Sequence, residues 1–307
     1  MCQSNLYIFS IKRCTDFLRS CINSDYLEFK SWIGGVLQLR NLWFVSLCII
    51  WWSMCVFPSA ASAQGPYISA QSSAVIDVVT GEFIFEKNAS RPMLIASLTK
   101  IMTAIVALEY GDLADQVTVS ANAFGEEGSS IYLQEGQKIS LEDLLYGLML
   151  RSGNDAAVSI AEHVGGSVEG FAIMMNDTAR LIGMRHSHFV NPSGLDAPGH
   201  YSTAHDMAML TAYSLTNPHF REIVQTGTKR ISYPEQNTAY LWRNKNKMLR
   251  LYPGSDGVKT GYTKKAGRCL VSSATRNGKQ IAVVTLKASS DWSDHRLLLN
   301  YGFRQTE

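Results

Sequence analysis

Three short clusters in this chain each pair a nucleophile or proton carrier with groups able to activate it. The first is Ser97-Leu98-Thr99-Lys100, at the head of the apolar, helix-favouring run Ile101–Tyr110. Residues three apart share a helix face, so the Ser97 hydroxyl and the Lys100 amine can meet. A serine hydroxyl is a poor nucleophile until a base takes its proton. Lysine is that base only when neutral, so its ordinary pKa of about 10.4 must be brought down by burial or a neighbouring cation. Ile101, Met102, Ala104 and Ile105 supply an apolar shell. The helix N-terminus adds positive potential and free N–H groups suited to an oxyanion.

The second cluster is Ser152-Gly153-Asn154, between two helical stretches. The glycine allows a sharp turn that aims a hydroxyl and an amide into one cleft. The hydroxyl can relay a proton to a leaving amine, and the amide can bind a substrate carbonyl. The third is Lys259-Thr260-Gly261, preceded by Gly257. On a strand, Lys259 and Gly261 share one face. Gly261 leaves room for a substrate backbone. Lys259 can supply the cation that keeps Lys100 neutral and attract a carboxylate, which Thr260 can hydrogen-bond.

Each cluster alone is weak. Ser-x-x-Lys arises by chance roughly once in a few hundred residues. Ser-Gly-Asn also reads as a plain inter-helix turn, and Lys-Thr-Gly as an exposed edge strand. Ser120-Ala121-Asn122 repeats the Ser-x-Asn spacing. Ser152 is preferred because it stands at a helix junction beside a glycine.

The elements that must position these groups follow from pattern and turn chemistry. Ala74–Thr80 and Glu82–Lys87 read as strands joined at Thr80-Gly81. A loop-rich stretch with short strands covers 112–139. Ser140 and Asp143 form a capping signal that opens a helix through Leu150. Further helices are expected at Asp155–Val164, 168–182 and 204–215, the last stopping at Asn217-Pro218. Lys229–Tyr233, Thr238–Trp242 and Gly257–Thr263 are strand candidates. Arg268–Thr275 and Lys279–Lys287 flank Asn277-Gly278, the strongest hairpin signal in the chain. A final helix covers 291–303. Strands at both ends and helices between imply an α+β fold: a mainly antiparallel sheet flanked by helices, with an all-helical insertion over about 112–220.

The motif order Ser-x-x-Lys, Ser-Gly-Asn, Lys-Thr-Gly is the set of penicillin-binding proteins and class A β-lactamases. From about Ala74 to Phe303 the sequence resembles the serine D-alanyl-D-alanine carboxypeptidases, the low-molecular-mass penicillin-binding proteins. The surroundings Ala96–Ala104, Leu150–Ala157, Asn191-Pro-Ser-Gly-Leu195 and Asp256–Thr263 carry the likeness. The resemblance implies that Ser97 is acylated with Lys100 as its base. It implies that Ser152 passes the proton to departing D-alanine and that Asn154 orients the substrate. Lys259, Thr260 and Gly261 would line the cleft, with the N–H groups of Ser97 and Tyr262 as the oxyanion hole. The implied partners are a peptidoglycan stem peptide ending in D-Ala-D-Ala and the β-lactams that mimic it. No metal or other cofactor is implied. Many relatives carry a C-terminal β-domain and an amphipathic anchor; this sequence stops at Glu307, and no C-terminal membrane anchor is expected. Tyr262 stands where some relatives have His. Lys287 is a candidate for the basic residue that assists carboxylate binding from a later strand.

Composition narrows the setting. The 307 residues are 46% hydrophobic and 18% charged, an ordinary globular balance. Residues 64–307 carry 23 basic and 23 acidic side chains, which argues against nucleic acid as a partner. Five of the six cysteines precede residue 64, so the body, with Cys269 alone, forms no internal disulfide and no Cys-based metal site. Residues 1–41 form an extension of unclear status. Within 42–63, the apolar run Leu42–Phe57 and the small residues ending Ala61-Ser62-Ala63 read as a secretory signal cut before Gln64. An uncleaved anchor is the alternative reading. Residues 64–307 form the catalytic domain, exported to the periplasm or cell envelope and soluble once the signal is cut.

Rival readings share these residues. A β-lactamase needs a glutamate to activate water; Glu126, Glu127 and Glu162 are available, none in a Glu-x-x-Leu-Asn context. A D,D-endopeptidase differs from a carboxypeptidase only at the far rim of the cleft. A zinc peptidase could draw on His186-Ser-His188, but no His-Glu-x-x-His helix is present. A wall-binding module that kept the fold is the non-enzymic alternative.

Overall fold

A computed structural model describes residues 65–233 and 238–306. The expected extension and secretory signal lie outside the described residues. The unit spanning Gly65–Glu307 begins with β1 (Ser72–Asp77) and β2 (Phe83–Lys87). The Asp77 carboxylate accepts from the Val79 and Thr80 N–H groups, which turns the chain between them. A 3₁₀ turn, Ala96–Thr99, leads into α1 (Lys100–Tyr110). After β3 (Gln116–Thr118) and β4 (Lys138–Ser140), the chain forms α2 (Leu141–Tyr146), a π-turn at Gly147–Arg151, α3 (Asn154–Gly165) and α4 (Val168–Leu181). The Ser140 hydroxyl caps α2 through the Asp143 N–H at 3.1 Å, as its sequence signal implied.

The chain continues through α5 (Ala204–Ser214), α6 (Pro218–Gln225), β5 (Thr228–Tyr233), β6 (Thr238–Arg243) and α7 (Met248–Leu251). It ends with β7 (Ser255–Thr263), β8 (Gly267–Arg276), β9 (Lys279–Ala288) and α8 (Asp291–Thr306). Asn217-Pro218 stops α5 but also starts α6. The Asn217 side chain accepts from the His219 and Phe220 N–H groups, and proline occupies the first helical position, where its missing donor costs nothing.

The main sheet is antiparallel, in the order β2-β1-β9-β8-β7. Its first and last segments meet where β1 pairs with β9. Both faces are covered. Ala74, Ile76, Val271, Ala282 and Val284 point into the larger core, shared with α1, α3 and α5. Val75, Leu270, Ala274, Ile281 and Val283 pack on the other side against Leu298, Leu299 and Phe303 of α8. This is period-two alternation with apolar residues at both parities, the pattern of a sheet buried between layers. β5 and β6 form a separate two-stranded ladder, and β3 and β4 a short ladder within the helical part. β7 is an edge strand of the main sheet, with α6 and the 3₁₀ turn packed against it. The site forms along this edge.

Candidate active site

Ser97 sits inside the 3₁₀ turn, partly exposed between the buried residues Ala96 and Leu98. Lys100, one turn on, is fully buried as the first residue of α1. Its Nζ lies 3.3 Å from Ser97 Oγ, 2.7 Å from Asn154 Oδ1 and 2.5 Å from the Ser193 carbonyl. Burial is the main cause that brings its pKa down to about 7. The Lys245 ammonium pushes the same way, while Asp155 and Glu126 oppose.

Ser152 ends the π-turn with a left-handed backbone, φ +66°. That conformation is uncommon outside glycine and recurs at functional sites. Its Oγ accepts from Lys259 Nζ at 3.0 Å. Lys259 is 1% exposed. Burial first, then the Lys100 and Lys245 charges, hold its ammonium well below the ordinary lysine value. Asn154 opens α3; its side-chain amide donates to the Glu127 carbonyl, which fixes Oδ1 toward Lys100. The structure thus brings Ser97, Lys100, Ser152, Asn154 and Lys259 into one hydrogen-bonded neighbourhood.

Thr260 and Gly261 follow on β7, half-buried, and Tyr262 is 66% exposed. From the sequence, Gly261 is expected to make room for a substrate backbone. The structure gives the space to the protein itself: a Cβ there would lie 3.1 Å from the Ile95 carbonyl and 3.1 Å from Ser97 N. Gly261 lets the edge strand and the Ser97 turn approach each other. Gly194, at φ +84°, does the same from the opposite side, with its missing Cβ directed at the Ala96 carbonyl.

Residues 59–290 match the D-alanyl-D-alanine carboxypeptidase family. The chain belongs to that peptidase family. It is 35% identical over 247 residues to D-alanyl-D-alanine carboxypeptidase DacF of Bacillus subtilis, covering 78% of this chain and 63% of that protein. The chain therefore spans less than two thirds of that relative's length. A D-alanyl-D-alanine carboxypeptidase structure from Mycobacterium tuberculosis superposes with a TM-score of 0.76 at 31% identity, over 80% of this chain and 95% of the other. A mutant of the Streptomyces K15 DD-transpeptidase gives 0.74 at 31% identity, over 78% and 99%. The penicillin-binding fold expected from the motif order is the fold observed.

Several groups around the site went unassigned in the sequence reading. The Asn191–Leu195 loop carries part of the family likeness, and its motif names no role for it. Its Ser193 carbonyl accepts from Lys100, and its Pro192 carbonyl accepts from Thr103 at 2.7 Å. Asn191 Oδ1 takes the Gly194 N–H at 2.7 Å and holds the loop shut. His200 accepts from Val190 N at Nδ1, so its proton lies on Nε2 and is donated to Thr99 Oγ1 at 2.8 Å. The Thr99 hydroxyl in turn donates to the Ala96 carbonyl at 3.0 Å. Lys245 had no motif to reveal it. Asp155 carried a weak signal as the residue after Ser-Gly-Asn. Its carboxylate gathers Ser130 Oγ and the N–H groups of Ile131 and Leu133, which fastens segment 129–133 to the start of α3.

The rival residues fall elsewhere. Ser120 and Asn122 both donate to the Glu162 carboxylate, at 2.6 and 2.9 Å, which binds all three into one structural knot. Glu126 lies near enough to Lys100 to feel its charge. Burial and Glu127 nevertheless raise its carboxyl pKa. His188 Nδ1 pairs with the Gly199 carbonyl at 2.8 Å. No group of three or more metal-ligating side chains occurs among the described residues, and no described helix is long and apolar enough to cross a membrane. Lys287 is exposed at the end of β9, its stem beside Gly267, with β8 between it and β7.

Proposed function

We propose that the protein is a serine D-alanyl-D-alanine carboxypeptidase, which removes the terminal D-alanine from peptidoglycan stem peptides through an acyl-enzyme on Ser97. The hydrogen-bond arithmetic at Lys100 carries this reading. A neutral amine has two hydrogens and one lone pair. The Asn154 and Ser193 carbonyl oxygens accept the two hydrogens, which leaves the lone pair for the Ser97 hydroxyl proton. A pKa of about 7 keeps a large share of Lys100 neutral near neutral pH.

In this reading Ser97 Oγ attacks the carbonyl of the penultimate D-alanine as Lys100 takes its proton. The N–H groups of Ser97 and Tyr262 hold the oxyanion; one such donor is worth ~2.7–4 kcal/mol of transition-state stabilisation. The C–N bond breaks as Ser152 gives the leaving amine a proton. Water then hydrolyses the ester and restores Ser97. Lys259 receives the terminal carboxylate with Thr260 beside it. An arriving carboxylate favours the charged form of Lys259, and that charge in turn favours neutral Lys100. Substrate binding thus arms the base. A β-lactam would enter the same way, its ring amide opened by Ser97. The motif-bearing N-terminal segment supports export to the cell envelope, where this substrate is found.

The test is the intact mass of the purified protein incubated with a penicillin, with the adduct mapped by peptide mass spectrometry. A long-lived adduct on Ser97, absent in Ser97→Ala, is expected, together with D-alanine release from a pentapeptide. Rapid loss of the adduct with drug turnover would instead identify a β-lactamase. No adduct and no turnover would leave the wall-binding reading.

A further inference from the structure

Ala96 has a left-handed backbone, φ +49°, one residue before the nucleophile. A residue with a Cβ holds that conformation only where its surroundings enforce it. Two groups enclose the Ala96 carbonyl. Gly194 lies against it, with no room for a Cβ between them. The Thr99 hydroxyl donates to it at 3.0 Å. Ala96 and Thr99 are both buried.

The carbonyl so gripped belongs to the same planar unit as the Ser97 N–H. The C=O and N–H of a trans peptide point in opposite directions, so a bond that fixes one fixes the other. Ser97 N lies at the edge of β7, 3.1 Å from where a Cβ on Gly261 would stand. Tyr262, next on β7, brings the second N–H of the oxyanion hole in the reading above. The aim of the Ser97 N–H is therefore set from behind, by the Thr99 hydroxyl.

His200 orients that hydroxyl. A hydroxyl proton rotates to suit its partners. His200 Nε2 donates to Thr99 Oγ1 at 2.8 Å, which leaves the Thr99 proton for the Ala96 carbonyl. The imidazole is itself fixed. Val190 N donates to Nδ1 at 3.2 Å, and the Phe189 ring stands nearly perpendicular to it, 5.8 Å between centroids. Burial takes the ring's pKa down to about 4, so Nδ1 keeps its lone pair at neutral pH. Every donor in this series points the same way: Val190 N–H, His200 Nε2–H, Thr99 O–H. Hydrogen bonds in such a chain polarise one another, and the last peptide N–H becomes the stronger donor for it. A buried histidine needs partners for both nitrogens, and any two would satisfy its packing. Here the second partner is the hydroxyl that grips the nucleophile's own peptide.

We propose that His200 is a positioning residue for the Ser97 reaction: through Thr99 it aims and polarises the Ala96–Ser97 peptide, so that the Ser97 N–H meets the substrate oxygen as negative charge develops on it. The proposal rests on the acyl-enzyme reading of Ser97. No bond to His200 forms or breaks, and its proton stays on Nε2. Its effect is exerted in the transition state, where an oxyanion needs the N–H more than a carbonyl does.

Two variants test this. His200→Phe removes the donor, and Thr99→Val removes the hydroxyl while His200 stays. In each, kcat for D-alanine release from a pentapeptide should fall roughly ten- to fiftyfold, short of the roughly 10²–10³ lost with an oxyanion donor itself. KM should stay within about twofold, as for an interaction made only in the transition state. His200→Gln, whose side-chain N–H can still reach Thr99, should recover most of the rate. Infrared spectra of the penicilloyl-enzyme, with the ester carbonyl labelled with carbon-13, give a readout that a mere loss of stability would not move. The carbonyl band should shift to higher wavenumber in His200→Phe and Thr99→Val as its hydrogen bonds weaken, and return in His200→Gln. Should His200→Phe fail to fold, Thr99→Val decides by the same two measurements. A band that stays at the wild-type position would overturn the proposal, as would a loss carried by KM with kcat retained. Failure of penicillin to acylate wild-type Ser97 would bring down the catalytic reading itself. Normal acylation of wild type with unshifted bands in the variants brings down this proposal alone.

Discussion

In the proposed mechanism Lys100 is the base, and its surroundings are what keep it neutral near pH 7. Burial removes water from the ammonium, and its hydrogen-bond partners are two carbonyls and a hydroxyl, with no carboxylate among them to hold the charge. Lys245 adds the second push. Removing that charge by Lys245→Gln raises the Lys100 pKa above about 7, because a cation nearby disfavours the charged form. Less neutral base is then present at pH 7. Penicillin acylation is expected to slow about two- to fivefold at pH 7, on the scale of one partly screened charge. It should return to the wild-type rate near pH 9, where both proteins hold neutral lysine. A stopped-flow pH profile reads this directly. A uniform loss at every pH would show that Lys245 acts by contact with substrate and leaves the base alone.

At the scale of elements, the site is a junction of pieces held together by polar clamps, and Asp155 is the largest of them. Its buried carboxylate accepts from Ser130 Oγ and from the N–H groups of Ile131, Leu133 and Ala156. That fixes the segment whose Ser129 carbonyl accepts from Asn154 N and whose Glu127 carbonyl accepts from the Asn154 side chain. Asp155→Ala strands buried donors, so a loss of about 3 kcal/mol in unfolding free energy is expected. Acylation should slow with it, because Asn154 loses the frame that aims Oδ1 at Lys100. Hydrogen exchange at the Ile131 and Leu133 amides should accelerate far beyond that at β8. Unchanged exchange there would refute the clamp. These contacts also mark the limit of what was legible in the sequence. The Asn277-Gly278 hairpin, the Ser140 cap and the apolar run of α1 use local chemistry, and each stands where its residues placed it. The Ser193 carbonyl, the His200 tautomer and Lys245 act across 93, 101 and more than 100 residues of chain, and a backbone carbonyl leaves no trace in residue type. Gly261 was legible as a close approach, but its partner was not. The π-turn that sets Ser152 interrupts a helix whose periodicity runs on through Leu150.

For the whole molecule, two buried neutral histidines join its layers and set its response to acid. His295 lies between α8 and the sheet, with Ser272 Oγ at 2.5 Å on Nδ1 and Thr285 Oγ1 at 2.9 Å on Nε2; burial takes its pKa to about 3. His200 joins the loop after α4 to the Ser97 turn, and burial takes it to about 4. Both folded values lie below the unfolded value of about 6.5, so the unfolded chain binds protons first. Their stabilisation is complete above about pH 6.5 and is lost progressively as pH falls toward the folded values. At pH 5 each histidine costs roughly 2 kcal/mol relative to pH 7. For a domain of this size the pair should lower Tm by roughly 10 °C between those pH values. His295→Asn cannot titrate, so it should unfold more easily at pH 7 and yet lose only about half as much Tm on acidification. His200 holds Thr99 in the Ser97 turn, so acid should loosen that turn while α8 is still docked, read as a fall in amide protection there. Parallel melting curves and amide protection factors at pH 7 and 5 separate the two joints. If wild type and His295→Asn show the same Tm shift, the acid response lies in other groups, and the buried histidines are joints without a titration.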